Sequence, residues 1–208
     1  MNVEFEAADG WPLGAIVQPA DGDVGAVLVP GSRHERDAYN SLVAPLAEAG
    51  IASLRIDVRG RGSSLGATRY ARMGPGQRRR VALDVAAALD HLGKQRMAVV
   101  GEQDTSPDAV TAAVADERVG AVVLWSPRRG PRIEAVLATR PLPVLTLVSS
   151  EDVEGLTAAT GDVRVFDGLG FGTTMMSTRQ FEHPDEQPLE SIVSDWLVEV
   201  LSPSAASR

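Results

Sequence analysis

The sequence predicts an α/β fold: a mostly parallel central sheet flanked by helices on both faces, with an antiparallel hairpin at the N-terminus. Three observations carry this prediction. Six short aliphatic, β-branched runs recur between Gly25 and Phe166, and continuous apolar runs of that length suit strands buried on both faces. Segments with helical apolar spacing separate them, and that alternation, which persists to Leu201, marks a sheet built with right-handed crossovers. Ahead of the first run, Asp9-Gly10 lies between two half-apolar stretches, which is a hairpin signal.

The elements follow in order. After the hairpin the predicted strands are Gly25–Pro30, Ile51–Asp57, Met97–Gly101, Val119–Trp125, Pro143–Ser149 and Val163–Phe166. Leu42, Val43 and Leu46 form one helical stripe. Val81, Val85, Leu89 and Leu92 form another, opened by Arg78-Arg79-Arg80 and ended by Gly93, where a left-handed cap costs little. Ser106-Pro107 reads as an N-cap followed by proline in the first turn. Ile192, Val193, Trp196, Leu197 and Val200 give the last apolar face. With no repeat and no low-complexity linker, residues 1–201 read as one domain, and Ser202 to Arg208 as a disordered tail.

Composition then limits function. Hydrophobic residues make up 44% and charged residues 23% of the 208, as in ordinary globular domains. Aromatics are only 4%, so Val, Leu, Ile and Ala must build the core. A formal net charge of −8 argues against a broad phosphate-binding surface and hence against nucleic acid as a partner. With no cysteine and three scattered histidines, thiolate nucleophiles, disulfides and Cys-ligated zinc are excluded, and neither a metal site nor a cofactor is expected. The N-terminus lacks the charged and apolar regions of a signal peptide, and no uncharged run approaches bilayer length. The expectation is therefore a cytoplasmic protein with no membrane partner, with room for a homodimer.

In doubly wound sheets ligands sit at the carboxyl ends of strands, so the loops there carry the functional information. The stretch from Val27 to Ser64 resembles the α/β-hydrolase family, particularly its small lidless members similar to dienelactone hydrolases and short-chain esterases. Asp57, Arg59, Gly60, Gly62 and Ser64 match the family's Asp-x-Arg-Gly-x-Gly-x-Ser turn position by position, and the order of elements continues to fit from Val24 to Leu201. The resemblance implies a nucleophile elbow, G-x-S-x-G, at the stretch AVVGEQDTS, where Gly101 matches the first glycine. Gln103 stands in the serine's place and Thr105 in that of the second glycine. An amide is no nucleophile for an ester carbonyl, and a frame shifted to Ser106 would need glycines at Asp104 and Asp108.

The resemblance also places Asp152 at the triad acid, although aspartate there is equally expected as a helix cap. Phe171 falls in the histidine slot, and His183 lies twelve residues further on in a polar stretch. The implied pocket is lined by Gly31, Ser32, Arg33, His34, Glu102, Gln103, Asp104, Asp152 and Phe171. Glu102 and Asp104 either cap the turn before the next helix or form an acid/base pair with His34, whose ordinary pKa near 6.5 suits proton transfer. Arg78–Arg80 read as a solvated helix face, whereas Arg128 and Arg129 follow a strand end and could face the cleft with Arg33.

Three functions stay open at this point. The first is a pseudohydrolase with a small-molecule pocket. The second is an enzyme of cofactor-free acid/base chemistry, a lyase, cyclase, isomerase or water-attack hydrolase acting on a small carbonyl or ester metabolite. The third is an ordinary esterase or lactonase with a displaced nucleophile.

Overall fold

A computed structural model describes residues 1–202. Apart from Ser202, the tail expected from Ser202 to Arg208 lies outside the described residues. In chain order the elements are β1 (Asn2–Glu6), β2 (Pro12–Gln18), β3 (Val24–Val29), α1 (Asn40–Glu48), β4 (Ala52–Ile56), α2 (Pro75–Arg78), α3 (Val81–Leu92), β5 (Arg96–Glu102), α4 (Ser106–Ala115), β6 (Val119–Trp125), α5 (Gly130–Leu137), β7 (Val144–Ser149), α6 (Val153–Ala158), β8 (Asp162–Phe166), α7 (Thr174–Glu182) and α8 (Leu189–Leu201).

The strands form one eight-stranded sheet in the order β1-β2-β4-β3-β5-β6-β7-β8. The hairpin β1–β2 turns at Gly10, whose φ of 75° needs no Cβ-bearing residue to be strained. β2 joins β4 antiparallel, and every pairing from β4 through β3 and β5 to β8 is parallel.

Because side chains alternate across a strand, neighbouring residues of one apolar run feed two cores. Val27, Val99 and Val122 pack on one face beneath Val81, Val85 and Leu89 of α3, Val110 of α4 and Ile133 of α5. Leu28, Val100 and Val123 pack on the other beneath Leu42 and Leu46 of α1 and Val193, Trp196 and Leu197 of α8. Each fully buried Leu or Val is worth roughly 1.5–3 kcal/mol, so two aliphatic helical layers carry most of the core, with Tyr39, Trp125 and Trp196 as its aromatic members on the α1/α8 face.

Two local expectations change. The arginine run does not open α3: Arg78 ends the short helix α2, and α3 begins at Val81, ending as expected at Gly93 with φ 62°. Ser106 does not cap α4. A 3-10 turn over Gln103–Thr105 precedes the helix, so Ser106 is its first residue and its buried Oγ has no hydrogen-bond partner. Thr105 Oγ1 turns back instead to the carbonyls of Glu102 (2.7 Å) and Pro30 (3.0 Å).

Candidate functional site

β5 leads into α4 through Gln103, whose backbone has φ 46°, a left-handed conformation rare for a non-glycine residue. Strain of this kind costs about 1–3 kcal/mol and persists only where the surroundings impose it. Gly101 allows the turn to close: a Cβ there would lie 2.9 Å from the Ala109 Cβ of α4. The Gln103 side chain is thereby raised above the carboxyl end of the sheet, at the floor of a cleft.

On either side of Gln103 the two carboxylates are engaged with backbone. Glu102 is fully buried. It accepts the Gly31 N–H at 2.8 Å from the loop after β3 and the Thr173 N–H at 2.7 Å from the loop before α7. His34 Nδ1 completes its shell at 2.9 Å. Gly172 also approaches here, since any Cβ at that position would overlap Glu102 Oε1. Burial pushes the Glu102 carboxyl up, but the His34 hydrogen bond and the two backbone amides outweigh it and hold the group below its ordinary value. His34 moves the opposite way: its bond to Glu102 raises it above 6.5, against burial and the positive charges of Arg33 and Arg61. Asp104 accepts the Ser32 N–H at 3.0 Å. In an acyl-transfer elbow an amide of this loop helps to bind the oxyanion; here the Gly31 and Ser32 amides are both taken by carboxylates of the chain itself.

The remaining expected site residues divide. Asp152 caps α6 by accepting the Gly155 N–H at 3.0 Å, and it is paired with Arg128 Nη1 at 3.0 Å. Phe171 is half exposed at the cleft rim. His183 closes α7 beside Glu186, in a separate hollow with Ser41 and Pro45 of α1. Of the nine residues expected around the pocket, Ser32, Arg33, Gln103, Asp104 and Phe171 line the cleft, whereas Gly31, His34, Glu102 and Asp152 do not.

The cleft, of about 520 Å³, is completed by Arg61, Tyr70, Arg78, Arg128 and Glu154, with Ala71 at its edge. Sequence reasoning placed only Arg128 as a candidate here. Arg61 falls inside the Asp-x-Arg-Gly-x-Gly-x-Ser turn, and that turn is firmly held: Asp57 accepts the backbone N–H groups of Arg36 and Ser63, both at 2.9 Å. Arg59, next to it, is buried between Asp84 and Asp9. Tyr70 is buried, and burial with the negative charges of Asp104 and Asp108 pushes its phenol up to about 12, so it stays a neutral donor. Among the described residues no group of three or more His, Asp or Glu side chains could hold a metal ion, and no helix is long and apolar enough to cross a membrane.

No protein-family model matches the chain, and no curated protein matches it. Solved structures do. An esterase from Pyrococcus furiosus superposes with a TM-score of 0.71 at 16% identity, covering 97% of this chain and 91% of its own. A dienelactone hydrolase from Anabaena variabilis gives 0.73 at 18% identity, covering 97% of both chains. The bottromycin epimerase BotH, solved with bottromycin A2, gives 0.64 at 17% identity over 97% of this chain and 99% of that one. These likenesses extend over nearly the whole length, and with the sheet order and the strained strand-to-helix turn at Gln103 they identify the architecture: this chain has the α/β-hydrolase fold.

Proposed function

We propose that this protein is a pseudohydrolase, which keeps the hydrolase frame and a polar cleft for a small molecule but does not cleave esters through an acyl-enzyme. The observation that carries this reading is the elbow itself. Gln103 holds the strained position, and the adjacent Asp104 carboxylate accepts the Ser32 amide at 3.0 Å. A covalent route needs an activated hydroxyl and open oxyanion donors, and the arrangement favours neither. Asp152 is committed to Arg128 and the α6 cap, and the buried Ser106 Oγ has no partner to take its proton. In place of catalysis, Gln103 offers one amide acceptor and two donors to a ligand.

The test is hydrolysis of p-nitrophenyl acetate by the wild-type protein. Turnover should equal the buffer rate, and Gln103→Ser alone should leave it there while folding normally. Turnover well above the buffer rate that persists through repurification contradicts the reading.

One observation favours a second reading, in which His34 performs acid/base chemistry on a carbonyl compound. Its Nδ1 is held by a buried carboxylate at 2.9 Å, an arrangement that fixes the tautomer and leaves the other ring nitrogen to carry a proton. An epimerase is among the proteins that share the fold. The signature would be exchange of the α-protons of phenylpyruvate with D2O faster than in buffer, lost in His34→Gln. Because His34 does not line the cleft, the first reading is the stronger, and His34 serves there to clasp the loop after β3 onto the elbow.

A further inference from the structure

The cleft over Gln103 collects positive charge in a protein whose formal net charge is −8. Four guanidinium groups face it, from Arg33, Arg61, Arg78 and Arg128, against the carboxylates of Asp104 and Glu154. Arg128 is neutralised by Asp152 at 3.0 Å and Glu154 at 3.2 Å. Among the described residues, Arg33, Arg61 and Arg78 form no ion pair with any carboxylate. Arg61 and Arg78 are instead drawn to one ring, 5.9 and 5.2 Å from the Tyr70 centroid. The Arg61 Nε is buried without a hydrogen-bond partner. Like charges held close together around a cavity are a cost that a bound anion would remove.

We infer that the ligand of this cleft is a small organic dianion, whose charged end is held by Arg33, Arg61 and Arg78 and whose remainder lies between Gln103 and the exposed ring of Phe171. With Arg128 set aside with its own carboxylates, the three unpaired guanidinium groups of Arg33, Arg61 and Arg78 face one cleft carboxylate, Asp104, and leave two positive charges, so a dianion is the neutralising partner. A phosphate monoester carries about that charge at neutral pH, and a dicarboxylate carries it as well; arginine forks suit the oxygens of both. The volume of about 520 Å³ suits a molecule of metabolite size. This inference rests on the reading that the cleft is a small-molecule site, and it adds the ligand's chemical class.

The experiment is calorimetric titration of the wild-type protein at neutral pH and low salt with phenyl phosphate, phthalate, benzoate and benzyl alcohol. The inference expects the two dianions to bind at least tenfold more tightly than benzoate, with benzyl alcohol weakest; whichever dianion binds better identifies the phosphoryl or the dicarboxylate source. In Arg78→Gln and Arg33→Gln, both on exposed positions, dianion affinity should fall about tenfold each while the unfolding midpoint is held. Dianions binding no better than benzyl alcohol overturn the charge assignment and leave the pocket reading standing. Dianion binding indifferent to both substitutions overturns it too. If none of the four probes binds or perturbs the Gln103 side-chain amide resonances, the cleft itself is not a small-molecule site and both readings fall.

Discussion

Replacing Glu102 with Gln is expected to cost about 3 kcal/mol of folding stability, although it alters one side-chain atom. The carboxylate accepts on both oxygens, from Gly31 N–H and His34 on Oε2 and from Thr173 N–H, Thr173 Oγ1 and His34 on Oε1. An amide has only one oxygen, so its NH2 must face one of these backbone donors in a site without water access. Each buried donor left unmade costs about 1–3 kcal/mol, and hydrogen bonds to a charged group are the stronger ones. The same variant should change the pH dependence. Glu102 is held below its ordinary 4.5, so its contribution is present above 4.5 and lost as pH falls through the lowered value. His34 is raised above 6.5, so its contribution is complete below 6.5 and lost as pH rises through the raised value. The clasp is therefore fully formed between about 4.5 and 6.5. Urea unfolding should show wild-type stability declining above pH 6.5, with this component missing in the variant. A loss under 1 kcal/mol with an unchanged pH profile would show that the carboxylate does not hold the loops.

An effect at least as large is expected at Asp84, beneath the turn that presents Arg61 to the cleft. Arg59 is only 2% exposed and donates to Asp84 Oδ1 at 2.7 Å from Nη2, while its backbone N–H reaches Asp84 Oδ2 at 2.9 Å. Its other contacts are the partly exposed Asp9 at 2.8 Å and the Trp11 ring at 5.4 Å. Asp84→Ala leaves a buried guanidinium with one partner at the protein's edge, and breaking a buried pair in this way costs about 3–5 kcal/mol. Asp9→Ala should cost less, because its site is open to water. The double variant Arg59→Met/Asp84→Leu should recover much of the loss, since what destabilises is the stranded charge rather than the absence of the pair. Urea midpoints for the three variants check this; a double variant as unstable as Asp84→Ala would refute the stranded-charge account.

Much of the fold could be read from the sequence because the features that set it are local. Strands buried on both faces leave continuous apolar runs, the Asp9-Gly10 turn and the Gly93 cap carry their own chemistry, and the spacing of Val81, Val85 and Leu89 places α3 against the sheet. α4 starts one residue earlier than its Ser106-Pro107 signal indicates, because the 3-10 turn over Gln103–Thr105 runs straight into it, which leaves Ser106 inside the helix and Thr105 bonded backward to Pro30. The site was half legible. Motif order placed Gln103, Asp104 and Phe171 at one cleft, but the partners of Glu102 come from loops about 70 residues away on either side, which no local pattern encodes. Arg61 and Arg78 come together only through Tyr70, and in sequence Arg78 belongs to a run that resembles a solvated helix face.

The proposed loss of ester chemistry is tested most directly by the intact mass of the native wild-type protein after incubation with an excess of a fluorophosphonate. With Gln103 at the elbow and Asp104 bonded to the Ser32 amide, the elbow supplies neither a hydroxyl to attack nor an open Ser32 amide to help hold an oxyanion. The expected spectrum is unmodified protein alone. A stoichiometric single adduct, mapped by peptide sequencing to one serine and accompanied by loss of ester turnover, would contradict the account and identify the displaced nucleophile.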